Sequence, residues 1–382
     1  MALGSEGGDE RNTIGTLTSS LPLPTLPFDL IEEILSRLPV KLLLQLRCAC
    51  KSWNSLISDR KFAKKHLSLS TTHSLHCVRG YSHKHVLESY PLDHVFINVT
   101  TTDVRQPEFS HYWSVEFLGS CHGILCFAAE EHRYSSIIVR LWNPSIKKLK
   151  ELPSLGEPRP NGYIPRIYGF GYDPVSDNYK VVVVFRELVD FSLNIHNRIC
   201  YKDIVVHVKV HNLGTNSWKS IPMFPYVYPV QQSGQCASGT INWLATKVTN
   251  NKPTQCYILS LDLGNESCKE VLLPNYGELV SSTLHLSVLR NCLILFSGDD
   301  VWVMKEYGNQ ESWTKLLTIS YMPSFIKAEY IFEDEHVLLS CREHMNYSYI
   351  FYNCRDGTSK LVGYVNMSSP EVCVESLISP CS

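Results

Sequence analysis

From Leu26 to Leu67 apolar residues recur with a helical period, and from about Leu69 onward that period gives way to short apolar runs broken by turn residues. In the first stretch Leu30, Ile31, Ile34, Leu35 and Leu38 make one stripe of a helix. Pro27 suits its first turn, and Asp29, Glu32 and Glu33 place negative charge near its positive end. Pro39 ends that helix and opens a second, apolar on nearly every side through Val40, Leu42, Leu43, Leu44 and Leu46. A third carries Cys50, Trp53, Leu56 and Ile57, and a fourth begins near Arg60, with Phe62 and Leu67 as its apolar face and Arg60, Lys61, Lys64 and Lys65 as its solvated one. Helices that are apolar all round must be buried on more than one face, and a segment of roughly forty residues cannot do that alone. The pattern implies a docking partner.

Beyond Leu69 the pattern repeats. Five times an apolar strand meets a polar turn and re-emerges: Leu141–Pro153, Val210–Pro222, Leu261–Pro274, Met304–Leu317 and Phe351–Val362. Each hairpin follows another strand pair, in Gly119–Phe127, Tyr168–Phe185, Cys236–Leu244, Leu286–Phe296 and Tyr330–Ser340. After most turns a bulky residue (Leu149, Trp218, Cys268, Trp313) is followed closely by a lysine, an alternation that puts the first between sheets and the second in water. Four strands every roughly 45–50 residues is the count for one propeller blade. Arg186–Cys200 stands out as an insertion. An incomplete unit, Leu75–Arg79 with His85–Tyr90, precedes the five, and a strand-like run, Val372–Ile378, follows them. Joining those two ends closes the ring and leaves no open edge, which predicts six blades.

The helical stretch reads LPFDLIEEILSRLPVKLLLQLRCACKSWNSLISD from Leu26 to Asp59. It resembles the F-box of plant F-box proteins throughout, with Gln45-Leu46 and Ala49 as mild departures that keep the polar and apolar pattern. The resemblance implies docking on a Skp-type adaptor, and through it on a cullin. The residues it assigns to that contact are Leu26, Pro27, Leu30, Ile31, Ile34, Leu35, Leu38, Pro39, Val40, Leu43, Leu44, Cys50, Trp53 and Ile57. The region beyond is similar to the plant F-box-associated, kelch-like domain through GSCHGILCF at Gly119–Phe127, YGFGYDP at Tyr168–Pro174 and WNPS at Trp142–Ser145. It lacks the Gly-Gly doublet of true kelch repeats in every blade, so nothing is borrowed from kelch enzymes. The expected architecture is thus multidomain, α plus all-β: a leader over 1–22 that reads as disordered, a three-to-four-helix F-box over 23–68, and a kelch-like β-propeller over 69–379.

Composition narrows the function. An apolar content of 44%, a charged content of 19% and a net charge of −2 give no reason to expect nucleic-acid or membrane binding. No apolar run approaches the ~18 residues of a membrane span. The first residues lack the basic start and apolar centre of a signal peptide. Fourteen cysteines then point to free thiols in a reducing compartment, the nucleus or cytoplasm. Cys121, His122 and Cys126 have no second ligand pair at zinc spacing, so no metal is expected. Asp299-Asp300 and Glu333-Asp334-Glu335 fall at blade turns, where acidic residues are ordinary and solvated; no catalytic residue and no cofactor is expected. By resemblance the chain is a non-catalytic substrate adaptor of a ubiquitin ligase. Its protein substrate would be held by blade-connecting loops, with candidates around Phe191 in the insertion and Phe224, Tyr226 and Tyr228 in the aromatic-proline stretch. The alternative is a propeller that binds a small molecule or glycan while its F-box controls its own turnover.

Overall fold

The computed structural model describes residues 26–81, 84–92, 109–110, 114–130, 137–155, 166–193, 199–222, 228–229, 233–249, 252–275, 284–319, 326–332, 336–343, 346–366 and 370–381. The leader lies outside these. Four helices come first: α1 (Phe28–Leu35), α2 (Val40–Leu46), α3 (Lys51–Ser58) and α4 (Arg60–Leu69). Pro27 and Pro39 sit just ahead of α1 and α2, where their carbonyls accept the first helical bonds from Leu30 N at 3.1 Å and Leu42 N at 3.0 Å. Asp59 caps α4, accepting from Lys61 N at 2.8 Å and Phe62 N at 3.1 Å, an arrangement worth about 1 kcal/mol.

Leu35, Val40, Leu43, Ile57, Phe62 and Ala63 are buried, and their apolar cluster runs on without a break into Leu118, Ile124, Tyr168 and Phe170 of the β region and into Leu377 and Ile378. Part of the partner that the helices require is therefore the rest of the chain.

The β region opens with β1 (His73–Tyr81), β2 (Lys84–Pro91) and β3 (Phe109–Ser110). Next come β4 (Ser114–Cys121), β5 (Ile124–Glu130), β6 (Ile137–Asn143) and β7 (Lys148–Glu151), a four-stranded antiparallel sheet in that order. One nine-stranded sheet follows, made of β8 (Ile167–Asp173), β9 (Asn178–Leu193), β10 (Ile199–Asn212), β11 (Ser217–Ile221), β12 (Tyr228–Pro229), β13 (Ser233–Ala237), β14 (Thr240–Thr249), β15 (Lys252–Asp262) and β16 (Cys268–Val271). Two more four-stranded sheets are β17 (Leu284–Leu289) to β20 (Trp313–Thr318), through β18 (Cys292–Ser297) and β19 (Asp300–Met304), and β21 (Ile326–Ile331) to β24 (Ser359–Asn366), through β22 (His336–Glu343) and β23 (Asn346–Asn353). The last strand, β25 (Glu371–Val374), returns to pair with β1, His73 opposite Val374 and His76 opposite Glu371, and so completes the sheet begun by β1–β3.

Within the nine-stranded sheet, two antiparallel halves meet through a short parallel pairing of β8 with β13, Tyr168 opposite Ser233 and Gly169 opposite Gly234. Residues of β4, β8, β13, β17, β21 and β25 together line one central void of about 120 Å³. The β region is therefore propeller-like, with successive sheets set around a common axis.

A recurring turn punctuates the sheets. Asn143, Asp173, Asn212, Asp262 and Asn353 each accept, through a side-chain oxygen, the backbone N–H two residues on. Four residues after each, the chain takes a positive φ, at Lys147, Asp177, Asn216, Glu266 and Gly357. An Asx turn of this kind replaces backbone pairing by a side-chain bond, which is why Asn and Asp mark the hairpins in the sequence.

Two expectations need correction. Leu149 is exposed and Lys150 beside it half-buried, the reverse of the expected alternation, whereas Trp313 is buried and Trp218 and Cys268 half-buried, although all four bulky residues lie on outermost strands. The insertion Arg186–Cys200 extends β9 and β10 into a longer hairpin, with Leu193 paired to Ile199 and Phe191 to Tyr201. Its residues 194–198 lie outside those described.

Candidate functional site

Five of the eleven exposed large apolar side chains among the described residues fall between Leu26 and Leu42: Leu26, Phe28, Leu30, Ile34 and Leu42. Leu30 and Ile34, one turn apart on α1, are 51% and 52% exposed. The residues that the F-box resemblance points to thus divide into three groups. Leu26, Pro27, Leu30, Ile34, Pro39 and Cys50 lie at the surface, and Ile31, Leu38, Leu44 and Trp53 are half-buried. Leu35, Val40, Leu43 and Ile57 are buried in the chain's own core, where they shape the surface from beneath. Phe28 and Leu42 belong with the exposed group although the helical stripe does not single them out. Their signal is a bulky apolar residue on a face that the chain's own packing leaves uncovered.

Three of the four basic residues of α4 do more than face solvent; Lys61 is exposed. Lys64 Nζ and Arg60 reach Asp177 in the β8–β9 turn, where Tyr172 also donates its hydroxyl to the Asp177 carboxylate. The Lys64 ammonium and the Tyr172 hydroxyl hold the Asp177 carboxyl below its ordinary range. Lys65 turns the other way and pairs with Glu32 at 2.9 Å and Glu33 at 3.2 Å, tying α4 to α1. Beside Asp177, His122 Nδ1 lies 3.1 Å from the Tyr179 hydroxyl, and burial, followed by the charge of Lys64, lowers the His122 pKa. Ion pairs this exposed contribute little each; what they fix is the orientation of the helices on the sheets.

Antiparallel pairing then decides what lies opposite. The β8–β9 turn that α4 grips is at one end of its sheet, so the outer end of the β9–β10 hairpin is at the other. Beyond Val184, β9 is paired only with β10 among the described residues, and the two form a ribbon from Arg186 to Leu193. At about 3.3 Å per residue that ribbon is roughly 25 Å long. Tyr228, in β12, pairs with Thr246 toward the same end. Phe224 and Tyr226 lie outside the described residues. Two of the four sequence candidates for substrate contact, Phe191 and Tyr228, are therefore carried at the end away from α4.

Among the described residues no group of three or more His, Cys, Asp or Glu side chains could hold a metal ion. Cys126 is fully buried in β5 and His122 sits in the β4–β5 turn. Asp300 is paired with Lys315 at 2.7 Å, which lowers its pKa; Glu333, Asp334 and Glu335 lie outside the described residues.

Residues 23–65 match the F-box domain, and residues 81–380 match the F-box associated beta propeller domain. The F-box/kelch-repeat protein At3g23880 of Arabidopsis thaliana is 32% identical over 349 residues, covering 87% of this chain and 88% of that protein. The F-box protein CPR1 of Arabidopsis thaliana is 28% identical over 94% of this chain and 90% of its own length. The F-box protein At3g07870 of Arabidopsis thaliana is 28% identical over 80% and 75%. Four short helices with an exposed apolar face on α1 and α2, set on sheets around one axis, are thus the arrangement of a known family: this chain belongs to the F-box proteins that carry an F-box associated beta propeller domain.

Proposed function

We propose that the chain is the substrate-recognition adaptor of a Skp–cullin–F-box ubiquitin ligase. The observation that carries this reading is the exposed apolar face of α1 and α2, above all Phe28, Leu30, Ile34 and Leu42. A Skp-type adaptor covers that face, with Leu26, Pro27, Ile31, Leu38, Pro39, Leu44, Cys50 and Trp53 around it and Leu35, Val40, Leu43 and Ile57 beneath. A protein substrate binds at the end away from α4, where the β9–β10 ribbon and Tyr228 lie. Holding it there at a set distance turns its modification into a local event, so other subunits supply the chemistry and this chain needs no catalytic residue. The functional division is an F-box over 23–68 and a propeller over 69–379. Counting the nine-stranded sheet as two units gives the propeller six blades. The compartment is the nucleus or cytoplasm, in keeping with a cysteine-rich chain.

A paired pull-down read by mass spectrometry tests this. The intact chain should bring down a Skp-type protein and a cullin. A Leu30→Ala/Ile34→Ala variant should lose both while enriching a protein substrate that is no longer turned over. Absence of a Skp-type protein from the intact sample sinks the reading.

A further inference from the structure

The propeller end that carries the helices also holds a cavity of about 950 Å³, walled by the α4–β1 connection and by the ends of β4, β17, β21 and β25. Its size is at the upper end of the range for small-molecule sites, roughly 300–1,000 Å³. Val288 and Glu329 line both this cavity and the narrower central void, so they mark its floor.

Three features of the wall are chemically specific. First, His73, Tyr330, Phe332 and Phe351 form a chain of rings with centroids 4.9 Å, 4.8 Å and 5.6 Å apart. All four line the cavity and none is fully buried. Tyr330–Phe332 and Phe332–Phe351 are held edge to face and His73–Tyr330 is tilted, and aromatic rings in such arrangements favour a further planar ring. Second, Arg290 lies at the rim, exposed, and its guanidinium makes no hydrogen bond or ion pair with any described residue. It is the first residue of the two-residue β17–β18 turn, with φ +48° at Arg290 and +62° at Asn291. Third, the acidic group of the wall, Glu329, is buried and accepts the Ser340 hydroxyl at 2.6 Å. The positive charge is thus at the rim and unpaired, while the negative charge is at the floor and engaged.

An unpaired guanidinium at the rim of a cavity with an aromatic wall matches an anion that carries a ring, because a carboxylate takes two parallel N–H bonds from arginine. A neutral sugar would leave that charge unused. We propose that this cavity binds a small planar aromatic carboxylic acid, with its ring against Tyr330, Phe332 and Phe351 and its carboxylate on Arg290. The connection Ser70–His73 lines the same cavity, so the ligand touches the joint between helices and propeller. The site stands on propeller residues and on that joint, and is independent of the adaptor reading.

The test uses the full-length chain and 2-naphthoate as the probe, with neutral 2-naphthamide as its control. Titration followed by saturation-transfer NMR should show 2-naphthoate binding at least tenfold more tightly than the amide. Arg290→Asn, which suits a positive φ, should weaken naphthoate at least tenfold and leave the amide unchanged. Arg290→Lys should recover part of the loss, and Phe332→Ala should weaken both probes. Bound naphthoate should slow hydrogen exchange in the Ser70–His73 stretch. No binding at millimolar probe, equal affinity for the acid in wild type and Arg290→Asn, or protection confined to another part of the chain each overturns the proposal. Capture of a Skp-type protein should be unaffected by Arg290→Asn, which separates failure of this site from failure of the adaptor reading.

Discussion

Asn143, fully buried at the end of β6, donates its side-chain amide to Ser376 O at 3.0 Å and to Ile378 O at 2.7 Å. Its side-chain oxygen meanwhile accepts Ser145 N at 2.8 Å and so shapes the β6–β7 turn. One residue therefore fixes a hairpin and anchors the segment that follows the ring-closing strand. Asn143→Ala strands two buried carbonyls and an amide, and should cost roughly 2–4 kcal/mol. Urea denaturation measures the loss, and limited proteolysis should show the last residues cut first. Wild-type stability in this variant would mean that the C-terminal segment is held by Leu377 and Ile378 alone.

Stability should fall in mild acid. His76 is buried in β1 with Nδ1 2.7 Å from Ser89 Oγ, and burial pushes its pKa down to about 3. His211, buried in β10, is pushed down to about 4 by burial and then by the charge of Lys150. Both titrate near 6.5 when unfolded, so below that pH the unfolded chain takes up protons that the folded chain refuses. The stability from keeping both rings neutral is present above pH 6.5 and is lost as pH falls toward 4, at up to about 1.4 kcal/mol per unit for each ring. Denaturation midpoints measured between pH 7.5 and 4.5 should decline, and His76→Gln should flatten the slope. An unchanged slope in that variant would exclude His76 as a source.

The surface and core residues of the helical segment should separate cleanly by substitution. Leu30→Ala and Ile34→Ala remove side chains that are half exposed in the chain alone, so its stability should change by less than about 0.5 kcal/mol. Leu35→Ala and Leu43→Ala open cavities in a core shared with the propeller and should cost about 2–5 kcal/mol. Calorimetry on the isolated chain and affinity for a purified Skp-type protein give the two readouts. Equal destabilisation by both pairs would contradict the division between covered and uncovered faces.

Local patterns made much of this legible in advance. The stripe Leu30–Leu38 and the Asx residues at Asn143, Asn212, Asp262 and Asn353 act within a few residues of themselves, so helices and hairpins could be read from spacing. Long-range relationships could not be read this way. Arg60 and Lys64 looked like a solvated face because their partner, Asp177, is more than a hundred residues away. Leu35 and Leu30 are both apolar at helical spacing, and only the tertiary core that Leu35 joins, which also holds Leu118 and Phe170, decides that one is covered and the other bare. Leu149 and Trp313 hold the same place in their hairpins, each on an outermost strand, yet only Trp313 is covered.

The β8–β13 seam makes the sharpest prediction about the sheets. Two glycines, Gly169 and Gly234, face each other across it, and Trp243 packs over them with Nε1 donating to Tyr168 O at 2.8 Å. A Cβ on Gly169 would lie 2.5 Å from Ile241 Cγ2, and one on Gly234 would lie 2.4 Å from that atom and 2.5 Å from Trp243 Nε1. Nothing there can yield cheaply, because Ile241 and Trp243 are fully buried. Gly234→Ala should therefore destabilise by about 1–3 kcal/mol or more through overpacking. Trp243→Phe deletes the indole atoms nearest the new methyl, so the double variant should lose less than the sum of the two single losses. A double-mutant cycle by chemical denaturation should show at least about 1 kcal/mol of such coupling. Strict additivity would mean that Ile241, not Trp243, sets how closely the two halves of the nine-stranded sheet approach.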